Sequence, residues 1–320
     1  MGIFSKKREI ADIYKVLRKQ ALTLGISEIG LKPDKSKPVY GVLMETGYDD
    51  AVVTLSAIGD GSVSLYFSNG GGIIGIGEHK KPREACFSLL SLANELTSPL
   101  KITNKFPLPK KGYTTFYFLT SDGVLVSNAK ENDLGNNRLP LSSLFHKAQD
   151  VITEARIVDE KRRKDFHEIM SAATAGEVSK IKVLIENGAN LEKADPSGST
   201  PLMAASYSGH VEIIKLLLQA GVPVDTKDSS GYTALMFACK QGELSCVRYL
   251  VENGANINEA DNDGSIPIMF CAQHGFNKVV KYLLKKGADP TAVGNHGLSA
   301  IGMAKQNGLT ETLKLLEENI

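Results

Sequence analysis

Asp195-Pro196-Ser197-Gly198-Ser199-Thr200-Pro201-Leu202-Met203-Ala204-Ala205 returns 33 residues later as Asp228-Ser229-Ser230-Gly231-Tyr232-Thr233-Ala234-Leu235-Met236-Phe237-Ala238. It returns again as Asp261-Asn262-Asp263-Gly264-Ser265-Ile266-Pro267-Ile268-Met269-Phe270-Cys271. Glycines keep the same period, at Gly198, Gly231, Gly264 and Gly297, at Gly209, Gly242 and Gly275, and at Gly221, Gly254 and Gly287. A fixed period of this length marks a stacked solenoid. Within one period, the aspartate opens a tight turn that closes on Gly198 or its equivalent, where a positive φ costs glycine little. Thr200-Pro201 then starts a short helix, with the threonine hydroxyl as cap and proline tolerated in the first turn. A second helix carries Ile213, Ile214, Leu216 and Leu217 at helical spacing and stops at Gly221. Neither helix buries its apolar face alone, so neighbouring periods must stack to form one core.

These residues resemble the ankyrin repeat over about residues 162–320, half of the chain. The family's T-P-L-H-x-A text is matched by Thr200, Pro201, Leu202 and Ala205, less fully by Thr233, Leu235 and Ala238, and least by Pro267 and Ile268. Met203, Met236, Met269 and Gly302 stand where the family has histidine, which predicts looser turns. The resemblance implies five repeats, at about 162–194, 195–227, 228–260, 261–293 and 294–320, the first and last serving as caps. It also implies protein binding on the concave side, through turn tips and the ends of the first helices. By position, the tips are Ser197, Ser199, Ser230, Tyr232, Asp263, Ser265 and His296, and the helix ends are Tyr207, Ser208, Lys240, Gln241, Gln273 and His274. Tyr207 and Tyr232 stand out, because tyrosine is enriched at interface hot spots. Neither ring is expected to matter to the fold.

The chain is long enough for two domains. Its 320 residues are 42% hydrophobic and 23% charged, with a net charge of +1, so no bulk electrostatic attraction to nucleic acid is expected. Four cysteines, Cys86, Cys239, Cys246 and Cys271, form no C-x-x-C pair and read as free thiols in a reducing compartment, the cytoplasm. Residues 1–20 hold no long apolar run, so no signal peptide is expected, and no run reaches the length of a membrane span. Met1-Gly2 invites an acylation reading, but Lys6 stands where that motif wants serine or threonine.

Residues 1–157 have a different pattern and read as an α+β domain. Ile10, Ile13, Tyr14, Leu17 and Ala21 give one apolar helical face, with Lys15, Arg18 and Lys19 opposite, as in a helix packed on its own domain or a basic amphipathic helix on a membrane surface. Strands are expected over 40–46, 51–58 and 62–68. The last alternates Val63, Leu65 and Phe67 against Ser62, Ser64 and Ser68, as in an antiparallel sheet with one wet face. A helix follows Pro82, carried by Ala85, Cys86, Leu89, Leu90, Ala93 and Leu96. Two more strands, 114–120 and 124–126, precede a loop over 128–140 and a helix carried by Leu141, Leu144, Phe145, Ala148, Val151 and Ile152. The expectation is about five antiparallel strands with helices on one face, an element order similar to profilin-like and roadblock-like domains. Residues 156–164 form a charged link that continues as helix into the first repeat.

Gly70-Gly71-Gly72-Ile73-Ile74-Gly75 satisfies G-x-G-x-x-G literally, but a dinucleotide fingerprint needs a helix to open inside the motif, and here residues 76–81 intervene. It therefore reads as a glycine loop. The six histidines share no metal-ligand spacing, so no metal is expected. His210 follows Gly209, where the repeats commonly carry a structural histidine. No nucleophile elbow, zinc-protease helix or phosphate loop occurs, which leaves an enzyme without a supporting residue and no cofactor to expect. The function expected is that of an intracellular protein-binding adaptor with a protein partner. The alternative is a sensor or enzyme whose first domain binds a small anion at Gly70–Gly77.

Overall fold

A computed structural model describes residues 14–32, 38–69, 72–97 and 100–319. The chain divides into two units, Met1–Lys161 and Arg162–Ile320. Ile10, Ile13, Gly70 and Gly71, singled out above, lie outside the described residues.

The first unit is built on an antiparallel sheet. Its strands are β1 (Val39–Gly47), β2 (Val52–Ile58), β3 (Val63–Phe67), β4 (Gly72–Ile73), β5 (Lys101–Thr103), β6 (Tyr113–Thr120) and β7 (Gly123–Lys130). They are ordered β4-β3-β2-β1-β6-β7-β5. Among the described residues there are thus seven strands rather than five, the additions being short edge strands. Residues 128–130, read as loop, extend β7 through the pairings Asn128↔Thr115 and Lys130↔Tyr113. The Asn128 amide donates to Thr115 Oγ1 at 2.6 Å, so its polar side chain serves the ladder. The helix α3 (Glu131–Gly135) follows at once, with Glu131 and Asp133 in its first turn, where carboxylates favour the helix dipole.

One face of the sheet packs on α2 (Lys80–Glu95) and on the first half of α4 (Ser142–Ala175). Val42, Met44, Leu55, Ala57, Phe116 and Phe118 meet Cys86, Leu89, Leu144, Ala148 and Val151 there, all but fully buried. The other face is not wet at its centre. Leu43, Ile58, Tyr117 and Leu119 are covered by Leu22 of the helix that includes residues 14–23 (α1). The reason is that β1 and β6 carry apolar side chains on both faces, as central strands of a covered sheet do. Arg18 accordingly lies inward, not on a solvated side. Its Nε and Nη2 donate to Glu45 Oε1 and Oε2 at 2.6 and 2.7 Å, and Glu45 is fully buried in β1. Thr54 donates to the same carboxylate at 3.2 Å, and Tyr14 and Thr54 share a hydrogen bond of 2.8 Å.

The predicted link at 156–164 is part of one helix. α4 gives Leu144, Phe145, Ala148, Val151 and Ala155 to the first core, and Ile169, Ala172 and Ala173 to the second. The rest of the second unit is α5 (Val178–Glu186), α6 (Pro201–Tyr207), α7 (Val211–Gln219), α8 (Ala234–Gln241), α9 (Leu244–Glu252), α10 (Pro267–His274), α11 (Asn277–Lys285), α12 (Ala300–Gln306) and α13 (Thr310–Glu317). With the end of α4 these make five helix pairs. The first helices α6, α8, α10 and α12 stack on one another, as do the second helices from α5 to α13. Among the described residues, no helix is long and apolar enough to cross a membrane.

All four cysteines are buried and unpaired. Burial pushes the Cys86 thiol up to about 12 and the Cys246 thiol up to about 11, and it raises Cys239 as well. The thiolate is the reactive species, so raised values mean little reactivity near neutrality. At pH 8 the native protein should therefore react with essentially none of its four thiols over minutes in an Ellman titration, and with all four in denaturant. A thiol that reacts at once in the native protein contradicts this packing.

Candidate functional site

The turns of the second unit are held by their aspartates. Asp195 Oδ1 accepts from Ser197 N at 2.8 Å and Ser199 N at 2.9 Å, Asp228 Oδ1 from Ser230 N and Tyr232 N, and Asp261 Oδ1 from Asp263 N and Ser265 N. Hydrogen bonds, first among them that from the Ser197 hydroxyl, hold the Asp195 carboxyl below its usual range. Successive turns are tied by Ser229 N to Ser197 O, Asn262 N to Ser230 O and Asn295 N to Asp263 O, at 2.9, 3.1 and 2.7 Å. The tips therefore form a continuous row. The histidine-less caps are long, Met203 N and Met236 N reaching Thr200 and Thr233 Oγ1 at 3.4 Å. Met203 Sδ accepts from Thr200 N at 3.4 Å, where the family's histidine would make its local bonds. The aspartate bonds keep the turns regular despite these loose caps.

On this row the structure assembles an aromatic floor. The Tyr207 ring meets Phe237 edge-on at 6.1 Å between centroids, Tyr232 lies 5.5 Å from Phe237, and Tyr232 lies 5.4 Å from Phe270. Lys240 Nζ sits 4.8 Å from the Tyr232 centroid and 5.8 Å from that of Phe270. These are cation–π distances. Tyr207 is 53% exposed. Tyr232 is half-buried and packs against the core, so the expectation that the fold does not need it is corrected. Burial raises its phenol above the usual value, helped by the carboxylates of Asp261, Asp263 and Asp228.

Of the thirteen candidates, Tyr207, Tyr232 and Lys240 come together in this way. Asp263 and His296 meet across adjacent tips at 4.0 Å. Ser197 and Ser199 are bound to each other and to Asp195, Ser230 is an exposed tip, and Ser265 is half-buried. Ser208 caps the end of α6. Gln241, Gln273 and His274 are exposed at the helix ends, with the His274 ring 5.6 Å from Phe276 rather than in the aromatic row. Sequence reasoning left Phe237 and Phe270 out of the site. Part of the signal was available: Leu235, Met236, Ala238 and Cys239 fill the core side of α8, which leaves Phe237 half-buried beside it, while Phe270, one period later, is itself buried in the core. His210 is structural, with Nε2 3.0 Å from Thr174 O.

The glycine stretch of the first unit has packing roles where it is described. Gly72 pairs with Tyr66 at the sheet edge. A Cβ at Gly77 would collide with the Gly61 carbonyl oxygen. α2 opens only at Lys80, after His79, whose side chain makes no cap. No group of three or more His, Cys, Asp or Glu with metal-holding geometry occurs among the described residues.

A scan of protein families matches the description "Ankyrin repeats (3 copies)" at residues 169–261 and 221–293. Residues 169–293 are thus ankyrin repeats, and no family matches the first unit. None of the curated proteins compared with the chain matches it.

Proposed function

We propose, from the premise that residues 169–293 are ankyrin repeats, that this chain is a protein-binding adaptor rather than an enzyme, and that it works in the cytoplasm. Ankyrin repeats are in general protein-interaction modules. The observation that carries the proposal is the exposed Tyr207 ring at the end of an aromatic row in which Phe237 and Tyr232 are half-buried and Phe270 is buried, with Lys240 on Tyr232 and Phe270. Rigid rings give a partner large contact area with little ordering entropy to lose, and hot spots favour such residues. The buried free thiols support the cytoplasmic reading.

The test separates binding from folding. Tyr207→Ala removes a ring that is 53% exposed, so the melting temperature should hardly move. Affinity for a protein captured by the full chain should fall by about 2 kcal/mol, the usual hot-spot threshold. Calorimetric titration of wild type and variant measures the affinity, and a thermal melt of each measures the stability. An unchanged affinity puts the binding surface elsewhere.

A further inference from the structure

We infer that the α1 side of the first unit docks on an anionic membrane surface, its lysines meeting lipid headgroups while Leu108 enters the acyl boundary. Residues 14–24 and 101–111 build this side, and between them they carry seven Lys and Arg and no Asp or Glu. They are distant in sequence and adjacent in the fold. The loop 104–111 crosses the sheet beside α1. Phe106 meets the Tyr117 ring edge-on at 5.7 Å, and Pro107 O accepts from Tyr117 Oη at 2.8 Å and from Arg18 Nη2 at 3.4 Å. Lys101 of β5 stands opposite Val126, whose side chain packs on this face, so strand alternation sends Lys101 to the same face.

Two of the seven cations are spent, Arg18 on Glu45 and Lys111 on Asp49 at 2.7 Å. Lys15, Lys19, Lys101, Lys105 and Lys110 are exposed. The acids nearest to this face lie at its ends: Asp49 and Asp50 in the β1–β2 turn, Asp122 in the β6–β7 turn, Glu131 at the start of α3, and Glu28 beyond α1, where it accepts from Gly25 N at 2.6 Å. The cations are lysines, compact point charges spread over α1, β5 and the loop, with no arginine fork presented to a single carboxylate. That suits a diffuse anionic surface. Leu108 is 50% exposed and stands between Pro107 and Pro109, whose rings fix their own φ, so its insertion orders little further chain. Beside it a groove of about 280 Å³, lined by Tyr14, Leu22 and Phe106, gives acyl chains more apolar surface. Leu22 itself is spent on the sheet, so α1 docks from its outer side and stays on the domain.

The test is co-sedimentation of the purified full chain with vesicles of phosphatidylcholine, with and without phosphatidylserine. The chain should bind the phosphatidylserine vesicles and leave the others, and binding should fall as salt rises from about 0.1 to 1 M. Lys19→Glu with Lys105→Glu should lower the partition coefficient by roughly twentyfold or more, since each lysine near such a surface is worth about fivefold. Leu108→Ser should lower it several-fold. All three side chains are exposed, so the melting temperature should stay put in both variants. Tyr207→Ala should leave vesicle binding unchanged, which keeps this test independent of the protein-binding face. No binding, equal binding to both vesicles, or binding that the double lysine variant retains overturns the inference. A loss with the lysine variant and none with Leu108→Ser also overturns it, and makes the patch a site for acidic protein segments.

Discussion

Arg18→Ala is expected to destabilise the first unit by about 3–5 kcal/mol, the cost of leaving a buried charge without its partner. Glu45 is fully buried in β1, and the Arg18 side chain is 13% exposed. The fork of two bonds at 2.6 and 2.7 Å compensates the carboxylate for the water it has lost. Alanine removes both bonds and also the Arg18 guanidinium lying 5.9 Å from the Tyr117 ring centroid. Among the described residues, the Thr54 hydroxyl is then the side chain left to donate to the acid. The pair as a whole is a weaker source of stability than this number suggests, because desolvating both ions is itself costly. The double variant Arg18→Met with Glu45→Leu should therefore recover much of the loss. Denaturant unfolding, with hydrogen exchange at the β1 and β6 amides, measures both variants. A single variant as stable as wild type shows that α1 releases Glu45 to water at little cost, and that the Arg18–Glu45 pair does not hold α1 on the sheet.

Leu217→Ala is expected to cost about 2–5 kcal/mol. Leu217 is fully buried in α7, between the neighbouring second helices α5 and α9. Removing its side chain costs the transfer of the lost atoms and the cavity that a rigid stack cannot close. In a nearest-neighbour array the loss falls on both interfaces. Faster exchange should extend into residues 178–186 and 244–252. An effect confined to residues 211–219 would mean that each repeat is stable by itself.

The stacked half was legible because its physics is local and repeated. Each aspartate bonds its own turn, each glycine takes its own positive φ, and each second helix carries its own apolar face, so 33 residues of text contain nearly all that 33 residues of structure need. The first unit was read less fully. Its sheet was recognised from alternation at Val63, Leu65 and Phe67, yet β4 and β5 are too short to leave a pattern and exist only because a neighbouring strand offers hydrogen bonds. The charged stretch 156–164 was legible as helix running into the first repeat, and it lies within α4, whose apolar positions before and after it belong to one helix.

By itself, then, the sequence determined the repeat, its period and its turn chemistry, and it placed Tyr207 and Lys240 at equivalent helix ends. Only the tertiary structure decided that Arg18 turns inward, because the acid it meets is 27 residues away on a strand whose burial depends on both faces of the sheet being covered. Only stacking brought Tyr207 to Phe237, Tyr232 to Phe270 and Lys240 to Phe270. Those contacts join side chains of adjacent repeats, and their distances follow from how the repeats stack rather than from any one period of text.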